Sequence, residues 1–332
     1  MTTLSETNAV DRRNDGGGAS APSPSVRRRR LSSPWRKRLE ILLLAGPALV
    51  LFAAFVIFPV IIAAYYGFFS WAGYGPATDF VGLRNYTTIL GDQAFRDALW
   101  HNIVIIVLSL LIQGPVALGL ALLLNRKMRF QSAMRILIFI PYVISEVVVG
   151  TGWALILASG GALNSLLAKL HLESLQQDWL ANPNIAIFTL MAIVTWKYIG
   201  FAVILFLAGM QGIPEELTEA AAIDGASYWQ IQRRITVPLL APTLRIWAFL
   251  SIIGSLQLFD LVYIIWGPYV AGTAGTSTMA TYMVLSGRNA GSYGYGNAVA
   301  VVIFIVSLII ALTYQRLVLR RDNRDAVNGV PR

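Results

Sequence analysis

The chain of 332 residues contains no cysteine. That absence excludes a disulfide framework, a thiol nucleophile, an iron–sulfur cluster and a zinc–cysteine site. Charge is scarce too, at 13% of residues, where a soluble globular protein carries roughly 25%. With 56% hydrophobic residues and a mean hydropathy of +0.62, neither an ordinary soluble enzyme nor a disordered chain fits. Only two histidines occur, His101 and His171, and neither has a Ser–Asp partner or a second His nearby in sequence. Each is expected to be a satisfied imidazole at a membrane edge rather than a catalyst or ligand. No G-x4-G-K-[ST] phosphate loop is present, so the chain is not expected to hydrolyse ATP itself. No loop carries an obvious acid–base carboxylate pair.

What is present is blocks of apolar residues. A bilayer core needs about 20 such residues per helix. Six blocks qualify: 40–66, 101–124, 135–158, 184–209, 243–266 and 296–317. The first is too long for a signal-peptide core and is taken as a retained anchor. Lys197 interrupts the fourth block and Asp260 the fifth. The expected fold is therefore all-α, a polytopic membrane protein with six transmembrane helices.

The charges then set the orientation. Twenty-one Lys and Arg fall in the N-terminal tail, the loops after spans two and four, and the C-terminal end. Four fall on the opposite side: Arg84, Arg96, Lys169 and Arg288. The positive-inside rule places both termini in the cytoplasm. It also absorbs the net charge of +9 and the tetra-arginine run 27–30, which flanks a membrane helix; no nucleic-acid partner is expected. Three parts follow: a basic, Gly- and Pro-bearing tail over 1–38, a membrane domain over 39–318, and a short tail over 319–332. Contact with membrane lipid is implied throughout the middle part.

Most loops are short. The outer loop 70–100 carries Trp71 and Tyr74, suited to an interfacial aromatic belt. Outer loop 159–183 has a helical pattern of Leu163, Leu166, Leu167 and Leu170. Outer loop 267–295, rich in Gly, Ser and Thr, is expected to be mobile or moulded by a partner. The cytoplasmic loop 210–242 is some thirty residues long and stands apart. Pro214 and the acidic Glu215, Glu216 and Glu219 suit a helix N-terminal half. Gly225 permits a sharp turn, and a second amphipathic helix runs from about Ser227 to Arg234. Pro238 and Pro242 are expected to stop it. Two readings stay open on physical grounds: a knob for another protein's groove, or a hairpin lying on the membrane.

Glu219-Ala220-Ala221, three residues, Gly225, nine residues, then Ile235-x-Val237-Pro238 resembles the EAA loop of binding-protein-dependent ABC importers. The usual pattern is E-A-A-x3-G-x9-I-x-L-P, with Val237 the one departure. Phe80-Val81-Gly82-Leu83-Arg84-Asn85-Tyr86, Ile140-Pro141-Tyr142, Phe259-Asp260-x-Val262-Tyr263 and Gly294-Tyr295-Gly296-Asn297-Ala298 resemble permease subunits of carbohydrate importers. The last is most similar to the first membrane subunit of maltose-type systems. The resemblance spans roughly 40–320 and implies a type I ABC importer permease fold in a bacterial cytoplasmic membrane.

It also implies partners: a second permease subunit, an ABC ATPase dimer and an extracytoplasmic solute-binding protein. No cofactor would sit on this chain, ATP and Mg being held by the ATPase. Glu219, Ala220, Ala221, Asp224 and Gly225 would form the coupling element that docks on the ATPase. By position, the sugar path would use Glu146; then Lys197, Tyr198 and Phe201; then Ser251, Gly254 and Ser255. Aromatic faces stack on sugar rings, while Glu, Lys and Ser bond hydroxyls. Val194 stands where an Asn contact is expected. Ionisable groups at this depth usually face a cavity or pair with each other, so Glu146 and Lys197 are equally readable as a pair joining spans three and four. Asp260 is readable as a solvated group near the outer end of span five. The expected solute is a di- or oligosaccharide. Alternatives are a non-sugar solute such as a glycerol phosphodiester, or an ion-coupled secondary transporter using Glu146 and Asp260, which the absence of a visible internal repeat weakens.

Overall fold

In the computed structural model, residues 34–126 and 129–319 are described. Residues 1–33 of the basic tail (with the tetra-arginine run), Lys127 and Met128, and the C-terminal tail beyond 319 lie outside the described residues, while 34–38, expected as tail, begin a helix. The chain divides into two compact units, to Val56 and from Ile57. Within the described part of the first lies one helix, Pro34–Phe52, continued by a π-helical turn at Ala53–Ile57.

Among the described residues, six helical segments are long and apolar enough to cross a bilayer: Leu42–Tyr66, Gln93–Leu124, Glu146–Lys169, Ala186–Met210, Ala241–Gly267 and Tyr293–Val318. Each overlaps one expected block. Span two begins eight residues before its apolar block, at Gln93. Asp92 caps it by accepting from the Ala94 amide at 2.8 Å, and Phe95 and Ala98 are buried on its first turns.

Two expectations of unbroken helices are corrected. The expected third block, 135–158, is two helices, Gln131–Val143 and Glu146–Leu157, interrupted at extended Ile144 and Ser145, and the long spanning segment begins only at Glu146. Ser145 caps the second piece through the Val147 amide. Span five is likewise two helices, Ala241–Leu256 and Asp260–Thr273. Asp260 is thus exposed in the first turn of a half-helix, where a carboxylate suits the positive dipole end.

Span four stands at the centre of the second unit. Thirteen of its 25 residues are buried, and it packs against spans two and five and the Gln131–Val143 helix. Gly200 makes this packing possible: a Cβ there would stand 2.4 Å from the Ile138 carbonyl oxygen. Small residues at helix contacts let backbones approach where lipid supplies no hydrophobic drive between spans. The core continues through Leu190, Val262 and Trp266 on one side, and through Phe206, Leu240 and Trp247 on the other.

The family-like motifs have local structural uses. Asn85 donates from its amide to the carbonyls of Gly67 and Phe69, while the Gly294 amide donates to the Trp71 carbonyl. Segment 267–295, expected to be mobile or moulded by a partner, is instead folded against span two. Thr276, Thr278 and Thr281 are buried, and Thr278 and Thr281 form a capping box. His101 Nδ1 lies 2.9 Å from the Ser277 carbonyl, to which its N–H donates.

Candidate functional site

Both interrupted spans contribute to the lining of a cavity of about 250 Å3, Tyr142 from the first and residues from Trp247 to Leu258 from the second, together with residues of spans two and four. Helix ends leave their last carbonyls without intrahelical partners, and inside a membrane those groups must be satisfied by protein. At the span-three break the donor is Lys197, 2% exposed. Its Nζ donates to the carbonyls of Pro141 (3.2 Å), Tyr142 (3.1 Å) and Ile144 (2.5 Å). Glu146 Oε1 stands 3.5 Å from the same nitrogen and accepts from the Tyr198 hydroxyl at 2.7 Å.

At the span-five break the donors are neutral. Asn102 on span two donates to the Ser255 carbonyl at 2.6 Å and accepts from the Met279 amide at 2.9 Å. Thr278 donates to the Leu258 carbonyl at 2.7 Å.

Of the path residues expected from sequence, Tyr198, Phe201, Ser251, Gly254 and Ser255 line the cavity. Glu146 and Lys197 do not; they sit behind Tyr198, in the break. Val194 lines the wall as well. Sequence reasoning did not single out Ser109, Gln113, Trp247 or Asn102, and took Tyr142 only as part of a motif. Ser109 donates to Gln113 Oε1 at 2.6 Å and lies 2.7 Å from the Ser251 hydroxyl. Both belong to a π-helical turn, Ser109–Gln113, the kind of local irregularity that often marks a functional position. The available signal was uncharged polar residues in mid-span. Tyr142 stacks on Phe201 with ring centroids 5.4 Å apart, giving the cavity an aromatic wall opposite the hydroxyls of spans two and five. Trp153 and Trp196 contact each other edge to face, and neither lines the cavity.

The cytoplasmic loop forms a second candidate site. Helix Glu215–Ile223 ends at Asp224, and Gly225 at φ +82° makes the turn. The Ala226 amide bonds the Ala221 carbonyl and the Gly225 amide bonds that of Ala222, a Schellman closure that favours glycine. Glu219, Ala220, Asp224 and Gly225 are exposed, with Ile223 and Trp229 beside them; Ala221 is half-buried. Ala221, Asp224, Gly225 and Arg234 line a shallow hollow. The second helix covers only Tyr228–Ile231 and passes into a π-helical turn, Gln232–Thr236. Pro238 and Pro242, expected to end it, instead stand in the first turns of the next two helices, where the missing N–H has no intrahelical partner to lose. Tyr228 donates to the Leu122 carbonyl at 2.8 Å beneath the Arg126 guanidinium, 4.3 Å from its ring. Burial pushes the phenol pKa up, and the Arg126 charge works against that rise. The loop is thereby tied to the cytoplasmic end of span two, whose middle carries Ser109 and Gln113.

Residues 113–322 match the family described as "Binding-protein-dependent transport system inner membrane component". The chain belongs to that family. A probable ABC transporter permease protein of Pyrococcus horikoshii is 36% identical, the match covering 82% of this chain and 94% of the relative. The arabinooligosaccharides transport system permease protein of Bacillus subtilis is 32% identical over 90% of this chain and 96% of its own. A solved bacterial alginate ABC transporter, in complex with an alginate pentasaccharide-bound periplasmic protein, matches with a TM-score of 0.73 at 26% identity. That match covers 86% of this chain and 97% of the solved one. The permease is therefore a multi-pass inner-membrane protein of the type I importer fold, and its role is transport.

Among the described residues, no group of three or more His, Cys, Asp or Glu is placed to hold a metal ion.

Proposed function

We propose that this permease carries a sugar, a di- or oligosaccharide, through the cavity between the two helix breaks. The observation that carries the reading is the cavity wall: stacked Tyr142 and Phe201 with Tyr198 on one side, and Ser109, Gln113, Ser251 and Ser255 on the other. Aromatic faces suit the apolar faces of sugar rings, and the hydroxyls and amide suit their edges. The saccharides handled by the Bacillus relative and the alginate importer support the same solute class.

Transport would be driven by a separate ATPase dimer, with a second permease completing the path and an extracytoplasmic binding protein delivering the solute. Glu219, Ala220, Ala221, Asp224 and Gly225 would be the docking element for the ATPase. Its motion would reach the cavity along span two, through the Tyr228–Leu122 bond. In sealed vesicles holding the assembled importer, uptake of a radiolabelled saccharide from a panel of di- and oligosaccharides should require internal ATP and the co-assembled ATPase. Uptake by this chain alone under a sodium or proton gradient would overturn the proposal.

A further inference from the structure

The span-three break gathers four oxygens around one point: three backbone carbonyls at 2.5–3.2 Å and a Glu146 carboxylate oxygen at 3.5 Å. Unwound carbonyls beside a carboxylate, at the interruption of a membrane helix, are the donor set with which ion-coupled transporters hold sodium. Here the centre is filled by the Lys197 nitrogen. We infer that Lys197 is a tethered cation that permanently occupies an ion-type oxygen cage, closing the break without a free ion, and that it is a positioning residue rather than a solute contact. The inference holds whatever solute is carried.

Three observations support it. The nitrogen has three N–H groups when charged, and three carbonyls take them, so no donor is left to turn toward a solute. The side chain is 3% exposed and outside the cavity lining. The rings of Tyr142 and Tyr198, both on the cavity wall, flank the nitrogen at 6.0 and 5.6 Å, so the position of the cation sets where those rings stand. A cation is also the natural group at this place. The negative end of the Gln131–Val143 helix dipole points into the break, and no backbone N–H caps its end.

This account differs from a simple Glu146–Lys197 pair in what it predicts. If the pair were the whole interaction, neutralising both members would restore the protein. If the carbonyls are the main partners, the double change leaves them without donors and restores nothing.

The test uses the full-length chain assembled with its importer subunits in lipid nanodiscs. Lys197→Ala should lower the apparent melting temperature by roughly 5 °C or more. It should also speed amide hydrogen exchange about tenfold over residues 140–147, with little change elsewhere. Propylammonium replaces the deleted atoms and should reverse both effects by at least half. Tetramethylammonium has the charge but no N–H, and should not. Glu146→Gln with Lys197→Met should stay as impaired as Lys197→Ala. Glu146→Gln alone should assemble, with exchange over 140–147 within about threefold of wild type, and this arm stands whether or not Lys197→Ala assembles. The wild type should melt alike in sodium and choline chloride. A double variant that behaves as wild type, equal rescue by tetramethylammonium, or a Glu146→Gln loss as large as that of Lys197→Ala would overturn the inference.

Discussion

The two helix breaks that bound the cavity solve the same problem by different means. At span three a single charged side chain, Lys197, serves three carbonyls. At span five the work is divided between Asn102 of span two and Thr278 of the folded outer segment, both neutral. Removing a buried charge's role exposes several polar groups at once, whereas interhelical hydrogen bonds between neutral groups in membranes average only about 0.6 kcal/mol each. The first break should therefore depend on one residue and the second on several. The second also joins three separate elements, so a change there should be felt in the outer segment as well as in the cavity.

Substitutions can break this comparison, and the largest effect is expected at the first site. Lys197→Met should cost about 3 kcal/mol and cut saccharide uptake more than tenfold, read in vesicles at matched amounts of assembled importer. Asn102→Leu strands the Ser255 carbonyl and the Met279 amide; it should cost roughly 1–2 kcal/mol and reduce uptake several-fold. Thr278→Val loses both the bond to Leu258 and the cap it gives the Thr281 amide, and should cost about 1 kcal/mol, detectable as a fall in melting temperature with uptake nearly intact. Asn102→Leu and Thr278→Val together should exceed their sum, because the two share a break. Smallest is Tyr198→Phe, which keeps the ring at the cavity wall and drops only the bond to Glu146; the KM for the saccharide should move by about twofold with kcat unchanged. A Thr278→Val effect as large as that of Lys197→Met would erase the distinction.

The spans were legible in the sequence because apolar length is what a bilayer demands, and four of them lie within a few residues of their blocks. The turn at Gly225 was legible because only glycine takes its positive φ without strain. The breaks were not. Ile144–Ser145 and Gln257–Leu258–Phe259 contain no glycine or proline, and hydropathy averaged over a span does not register an interruption of two or three residues. What marked them indirectly was the polar group each break requires, Lys197 and Asn102, one of which announced itself by charge. Ser109 and Gln113 carry no charge, and a lone hydroxyl or amide in an apolar run looks the same whether it faces a cavity or a neighbouring helix. The Gly-, Ser- and Thr-rich segment 267–295 was misleading for a related reason: its threonines cap helix ends and fill buried positions instead of facing water.

The central claim is that solute passes between the two breaks, and the absence of native cysteine makes it directly measurable. Ser251→Cys places a single thiol on the cavity wall, and its maleimide labelling can be timed in the assembled importer during ATP turnover. The account predicts that the transported saccharide slows this labelling severalfold, while a control thiol at exposed Gln315, at the cytoplasmic end of span six and outside the docking loop, is unaffected by saccharide. Labelling of Ser251→Cys that proceeds at one rate with and without saccharide, in an importer still transporting it, would contradict the account.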